Sequence, residues 1–168
     1  MTRPHTRSTH KFLQDRAILV GLPISDDLVA DFKDALSQVC AAGSDPIMVY
    51  VNSPGGAVFA SEKLAQLLGA SGVEVRTCCL GYAAGSAAHI FALGSHRSAV
   101  ADSLTSFIDF RSDDSGDMVQ IAEIRRAFIE RSSRALGVSA ATIAQWMSEK
   151  RSFSGNDLIT AGLVHSMI

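Results

Sequence analysis

Two short stretches of small residues carry the chain's best claim to chemistry. In Pro54-Gly55-Gly56 the glycines let the backbone turn its N–H groups outward and approach a ligand closely. In Gly81-Tyr82-Ala83-Ala84-Gly85-Ser86-Ala87-Ala88 a strand passes through small residues into a helix start, which presents free N–H groups and a partial positive charge. Two such amide sets facing each other make an oxyanion hole, the device that stabilises negative charge on a carbonyl oxygen during acyl transfer. Ordinary turn chemistry accounts for the same glycines, so spacing alone leaves both meanings open. Ser86 and His89 stand at i and i+3, neighbours on a helix and a conceivable nucleophile–base pair. That pair needs a third group to orient the histidine, for which Asp102 and Asp109 are the candidates.

These stretches need a scaffold, and the pattern along the chain describes one. Ala17-Ile18-Leu19-Val20 is a continuous apolar run closed by Gly21 and Pro23, which suits a buried strand. Ser25 then caps a helix with Asp26 and Asp27 in its first turn, and Leu28, Val29, Phe32, Ala35, Leu36 and Val39 form its apolar stripe. Ile47–Val51 is a second strand, Val58–Leu68 a second helix and Val73–Cys78 a third strand. A small-residue turn after Gly81 leads into a helix ending near Leu93. Strands alternating with helices imply βαβ units and a parallel sheet with right-handed crossovers, whose ligands sit beyond the carboxyl ends of the strands. Both glycine-bearing turns lie at such ends. Met118–Leu136 reads as a long helix stopped by Gly137, Ser139 caps another containing Ile143 and Met147, and Ser154 opens a last short one.

Composition sets the bounds. With 168 residues, 47% hydrophobic and 19% charged, the chain suits one core-rich domain, expected over 16–168. The stretch 1–15, with Arg3, His5, Arg7, His10 and Lys11 among Thr and Ser, reads as a flexible N-terminal arm. A formal net charge of -2 gives no basic field for nucleic acid, and no apolar run reaches the roughly 18 residues of a membrane span. The three cysteines, with Cys78 and Cys79 adjacent, have neither metal-ligand spacing nor a disulfide framework, so no metal and no cofactor is expected and a reducing cytoplasm fits. His96 and Arg97 fall in a loop and read as solvated, as His165 does near the C-terminus. Cys78 and Cys79 read as structural thiols and Trp146 as packing. Glu123, Arg125, Arg126, Glu130 and Arg131 read as a charged helix face.

Several segments together resemble a known family. Gly21-Leu22-Pro23-Ile24-Ser25-Asp26, Tyr50-Val51-Asn52-Ser53-Pro54-Gly55-Gly56, Cys79-Leu80-Gly81-Tyr82-Ala83-Ala84 and Ala161-Gly162-Leu163-Val164 are similar to motifs of the proteolytic subunit of the Clp protease. The resemblance runs from Arg16 to Ile168. It implies a crotonase-like α/β fold of repeated βαβ units with a protruding helix in the C-terminal half, corresponding to Met118–Leu136. It also implies a serine peptidase that self-assembles into rings around a chamber, docks a Clp ATPase and acts on peptides or proteins. Its oxyanion-hole donors map to the backbone N–H groups of Gly56 and Ser86. Its Ser, His and Asp triad positions map to Gly85, Ile108 and Lys150, so all three are substituted.

Three functions follow as alternatives. The first, and the one expected, is a catalytically impaired ring subunit, a pseudo-peptidase that partners itself and an active paralogue. Losing a triad costs on the order of a millionfold in kcat, and the roughly 10³ to 10⁴ left to the hole and binding is useless against a peptide bond. The second is an active hydrolase with a rearranged site using Ser86 and His89. The third is crotonase-like acyl-coenzyme A chemistry at the oxyanion hole, with Asp109 as the carboxylate base.

Overall fold

The computed structural model describes residues 16–110 and 117–168, so the expected arm over 1–15 lies outside the described residues. The chain opens as strand β1 (Ala17–Val20), helix α1 (Asp26–Ala41), strand β2 (Ile47–Ser53), helix α2 (Val58–Gly69), strand β3 (Val75–Ala84) and helix α3 (Ser86–Ala92). The capping chemistry read from the sequence is in place at α1. The Leu28 N–H donates to Ser25 Oγ at 3.3 Å, with Asp26 and Asp27 in the first turn. Val29, Phe32, Ala35, Leu36 and Val39 are its buried stripe.

β1 pairs with β2 and β2 with β3, both parallel, as the alternation of strands and helices requires. Ile18, Val20, Ile47, Val49, Val51 and Cys79 belong to the buried core together with Phe32, Leu36, Leu64 and Leu68 from α1 and α2. On the opposite sheet face Leu19, Met48 and Tyr50 are half-buried and Leu80 is 40% exposed.

β3 is longer than the sequence pattern predicts. Gly81–Ala84, expected as a turn, continue the strand, and the turn shrinks to Gly85. The extension has a partner of its own. Along one edge β3 pairs first with β4 (Arg97–Ala99) and then, at Tyr82–Ala84, with β5 (Leu104–Ser106). Where the β2–β3 register shifts between Val51 and Ser53, Asn52 Oδ1 accepts from the Tyr82 N–H at 3.1 Å in place of a ladder bond.

The remainder is helix α4 (Met118–Leu136), helix α5 (Ala140–Ser148), strand β6 (Ser152–Ser154), helix α6 (Asn156–Thr160) and strand β7 (Ser166–Met167). α4 starts at Asp117, whose carboxylate accepts from the Val119 N–H, and stops at Gly137 in the left-handed region, φ 69°. Its first turn projects from the core, with Met118 and Val119 63% and 65% exposed. Farther along, Ile121, Phe128, Ile129 and Ser132 are buried.

Arg97 corrects the sequence reading. It lies in β4, 5% exposed rather than solvated in a loop. Its guanidinium donates to the carbonyls of Leu163 (2.8 Å), Gly94 (2.9 Å), Ala135 (3.2 Å) and Gly162 (3.3 Å), tying the C-terminal segment to the end of α4. Burial lowers its pKa from the usual arginine value. His96 is exposed as expected and stacks on His165 with centroids 4.9 Å apart, while His165 Nδ1 accepts from the Arg97 N–H at 2.9 Å. Cys78 and Cys79 are buried free thiols, and Trp146 packs edge-on to Phe153 and tilted against Phe107.

Candidate active site

The two glycine-bearing turns meet at the carboxyl ends of β2 and β3. The 54–57 turn is pinned from below by α1's approach: Ile24 N–H donates to Gly55 O and Ala57 N–H to Ile24 O, both at 2.9 Å. Ser53 braces it from within, donating to Leu22 O at 2.7 Å and accepting from the Gly55 N–H at 3.2 Å. Gly55, at φ +86°, lies so close to the end of β3 that a Cβ there would stand 2.6 Å from Ala84 O. Glycine is what lets the turns touch.

Gly85 forms the corner between β3 and α3 at φ 52°, ψ −127°. These are the angles of the first corner of a type II′ turn, which glycine strongly favours. A strand-to-helix corner of this kind raises its residue at the top of the sheet, where nucleophiles sit in many hydrolases. Space for a side chain exists, since a Cβ at Gly85 would find Pro54 O as its nearest non-neighbouring atom, at 3.7 Å.

The backbone ties the segments that lead to Ile108 and Lys150 to this corner. Gly85 N–H donates to Ser106 O at 3.0 Å, and Phe107 N–H donates to Arg151 O at 2.9 Å. β5 and β6 run antiparallel with Ser106 opposite Ser152, and Ile108 and Lys150 each lie two residues along the chain from that pair. Gly85, Ile108 and Lys150 thus lie on or beside chain segments that hydrogen-bond to one another. None of these residues supplies a hydroxyl, imidazole or carboxylate.

Ser86 and His89 turn to different neighbours. Ser86, 2% exposed, points its hydroxyl inward, accepting from Ser61 Oγ at 2.7 Å and from the Gly56 N–H at 3.2 Å. His89 is fully buried, with Nδ1 2.7 Å from Ser132 Oγ on α4. Its Nε2 has no hydrogen-bond partner among the described residues. Phe107, Phe128 and Phe110 surround the ring at 5.2, 5.3 and 6.3 Å between centroids. Burial, reinforced by the Arg131 charge and resisted by that of Asp109, pushes the His89 pKa down to about 3. The imidazole is therefore neutral, a weak base, and hydrogen-bonded to Ser132 rather than Ser86.

Neither candidate carboxylate hydrogen-bonds to His89. Asp109 takes both of its oxygens to Arg125, at 2.7 Å each, and that hydrogen-bonded pair holds its pKa below the usual aspartate value. Asp102 is exposed in the turn between β4 and β5. Of the charged face expected on α4, Arg125 binds Asp109 and Arg131 binds Glu62 on α2, lying over the Phe128 ring, while Glu123, Arg126 and Glu130 are exposed.

A model of the Clp protease family matches residues 3–168. The chain belongs to the Clp protease family. Its mixed α/β architecture with a parallel sheet is consistent with the fold of that family's proteolytic subunits. Among relatives named ATP-dependent Clp protease proteolytic subunit, subunit 1 of Cutibacterium acnes is 33% identical over 85 residues, 50% of this chain and 39% of that protein. Subunit 1 of Bifidobacterium longum is 36% identical over 88 residues, 50% of this chain and 36% of that protein. For subunit 2 of Bacillus licheniformis the figures are 33% over 85 residues, 50% and 45%. The chain thus spans less than half the length of the curated relatives it matches. Among the described residues no group of histidine, cysteine, aspartate and glutamate is arranged to hold a metal ion, and no helix is long and apolar enough to cross a membrane.

Two site residues of this Clp family member escaped the sequence reading. Ser61 falls in the buried stripe of α2 with Val58, Leu64, Ala65 and Leu68, and Ser132 stands one turn beyond Phe128 on the buried face of α4. A serine at a core position of an amphipathic helix needs a polar partner. That was the available signal.

Proposed function

We propose that this chain is a catalytically impaired subunit of a Clp-type ring assembly. The observation that carries the reading is the corner itself. Gly85, Ile108 and Lys150, which the family resemblance assigns to the nucleophile, base and orienting-acid positions, lie on or beside hydrogen-bonded neighbouring segments and carry none of the required groups. The hydroxyl and imidazole of the rearranged alternative, Ser86 and His89, are each buried on partners of their own. Asp109, the acid an enolate-forming acyl chemistry would need, is occupied by Arg125.

Assembly is supported by the half-covered sheet face. Parallel sheets are ordinarily covered on both faces, and here Leu19, Met48 and Leu80 leave apolar surface beside Arg76 that a neighbouring subunit would complete. On this reading the protein acts in the cytoplasm, in rings with itself or an active paralogue, beside a Clp ATPase that delivers polypeptides.

The test is intact mass after treatment with a fluorophosphonate serine probe, with Ser86→Ala as control, on protein whose assembly state is known from native mass spectrometry. No adduct and no hydrolysis of a fluorogenic peptide are expected. A single adduct that disappears in the control would replace this reading with the rearranged hydrolase.

A further inference from the structure

We propose that the Ser86 hydroxyl is a built-in occupant of the position a substrate carbonyl oxygen would take on the Gly56 amide, and that Ser61 is the residue that holds it there. This deepens the reading of the site as catalytically impaired, and rests on it for the meaning of the contact but not for the contact itself. The Gly56 amide has one hydrogen, and that hydrogen is committed to Ser86 Oγ at 3.2 Å. An oxygen arriving from a substrate would have to displace a hydroxyl that is already seated.

Displacement is resisted because the hydroxyl is held from both sides. Ser61 donates to the same Ser86 oxygen at 2.7 Å, and Ser61 is fully buried while Ser86 is 2% exposed. Rotating Ser86 away would strand the buried Ser61 hydroxyl, whose unmade hydrogen bond is expensive, and would give up the Gly56 bond as well. The two donors also occupy the lone pairs with which Ser86 would attack. His89 makes its hydrogen bond to Ser132, not to Ser86. The same contact thus occupies the Gly56 amide and idles the Ser86 hydroxyl.

The elements joined are the ones that would have to move together. Gly56 lies in the turn before α2, Ser61 in the first turns of α2, and Ser86 at the start of α3. The neighbouring amides are served independently, Gly55 by Ser53 Oγ and Ala57 by Ile24 O. Removing the Ser86 hydroxyl should therefore free the Gly56 amide and leave its neighbours protected.

Residue-resolved amide hydrogen exchange on the full chain tests this, comparing wild type with Ser86→Ala, Ser86→Thr and Ser61→Ala. The expected result is that Gly56 exchange accelerates about tenfold or more in Ser86→Ala, by a smaller factor in Ser61→Ala, and little in Ser86→Thr, which keeps the hydroxyl. Gly55 and Ala57 should keep their wild-type rates in every variant, which separates a local release from general loosening. Fast Gly56 exchange in the wild type, or an unchanged rate in Ser86→Ala, overturns the proposal. So does equal acceleration across Gly55, Gly56 and Ala57. A fluorophosphonate adduct would overturn the impaired-subunit reading without altering these rates, so the two failures are distinguishable.

Discussion

Acid should destabilise this protein through His89, by an amount that follows from its surroundings. Burial holds the imidazole neutral down to about 3, against an ordinary value of 6.5. Above 6.5 neither the folded nor the unfolded chain carries the proton, and the stability contributed by the neutral ring is complete. As pH falls below 6.5 the unfolded chain takes up a proton that the folded chain refuses. Stability then declines by about 1.4 kcal/mol per pH unit until the pH approaches the folded value. Between about pH 7 and about pH 5 the loss from this group is about 2 kcal/mol. His165, also shifted down by burial and by the charges of Arg97 and His96, acts in the same direction, so the wild-type slope alone would not isolate His89. His89→Phe does, because it keeps an aromatic ring among Phe107, Phe110 and Phe128 and removes the titration. Urea unfolding of both proteins at the two pH values, at one protein concentration, gives the comparison. The variant should lose about 2 kcal/mol less than wild type on acidification. Equal losses in the two proteins would refute the assignment of a buried, neutral and nearly untitratable His89.

Three further substitutions probe the same framework. Ser132→Ala removes the hydrogen-bond partner of His89 Nδ1 and should lower stability by about 1–3 kcal/mol in urea titrations, with a clearly smaller effect when His89 is already Phe. Gly55→Ala drives a Cβ to 2.6 Å from Ala84 O at φ +86°, so we expect a loss of at least about 1–3 kcal/mol and faster amide exchange around residues 54–57. Arg97→Met leaves the carbonyls of Leu163, Gly94, Ala135 and Gly162 without their cation. It should lower stability by about 2–4 kcal/mol and the melting temperature by about 5–15 °C, with the C-terminal segment loosening first in hydrogen exchange.

The layered fold was legible because its long elements follow one rule each. Apolar runs such as Ile47–Val51 have nowhere to go but a buried parallel strand, and the Ser25 and Ser139 caps mark helix starts by direct hydrogen bonding. What escaped was short or depended on a distant partner. Arg97–Ala99 is three residues long and begins with a cation, so nothing local marks it as β4. Its burial is decided by four carbonyls, two of them 65 or more residues away. Gly81–Ala84 were read as a turn for their small side chains, yet Tyr82–Ala84 pair with Leu104–Ser106, a partner no local pattern announces. The candidate site divides in the same way. Its glycine corners came directly from residue type. The direction in which the Ser86 and His89 side chains turn was set by Ser61 and Ser132, serines that only helical periodicity could have flagged.

The Gly85 corner has a bearing on how much sequence change the domain tolerates. Any residue with a Cβ would have to be carried there at φ 52°, ψ −127°, a conformation that costs on the order of 1–3 kcal/mol and must be underwritten by good packing elsewhere. Glycine lifts that load while leaving the corner's shape intact. α6 is entered through the same corner, with Gly155 at φ 53°, ψ −127°, just after β6 and at a position assigned no part in the chemistry. The shape is thus a habit of this chain rather than a mark of catalysis. In a domain stable by a small margin, a few kcal/mol released at one residue is slack that substitutions at other positions can consume before the fold fails.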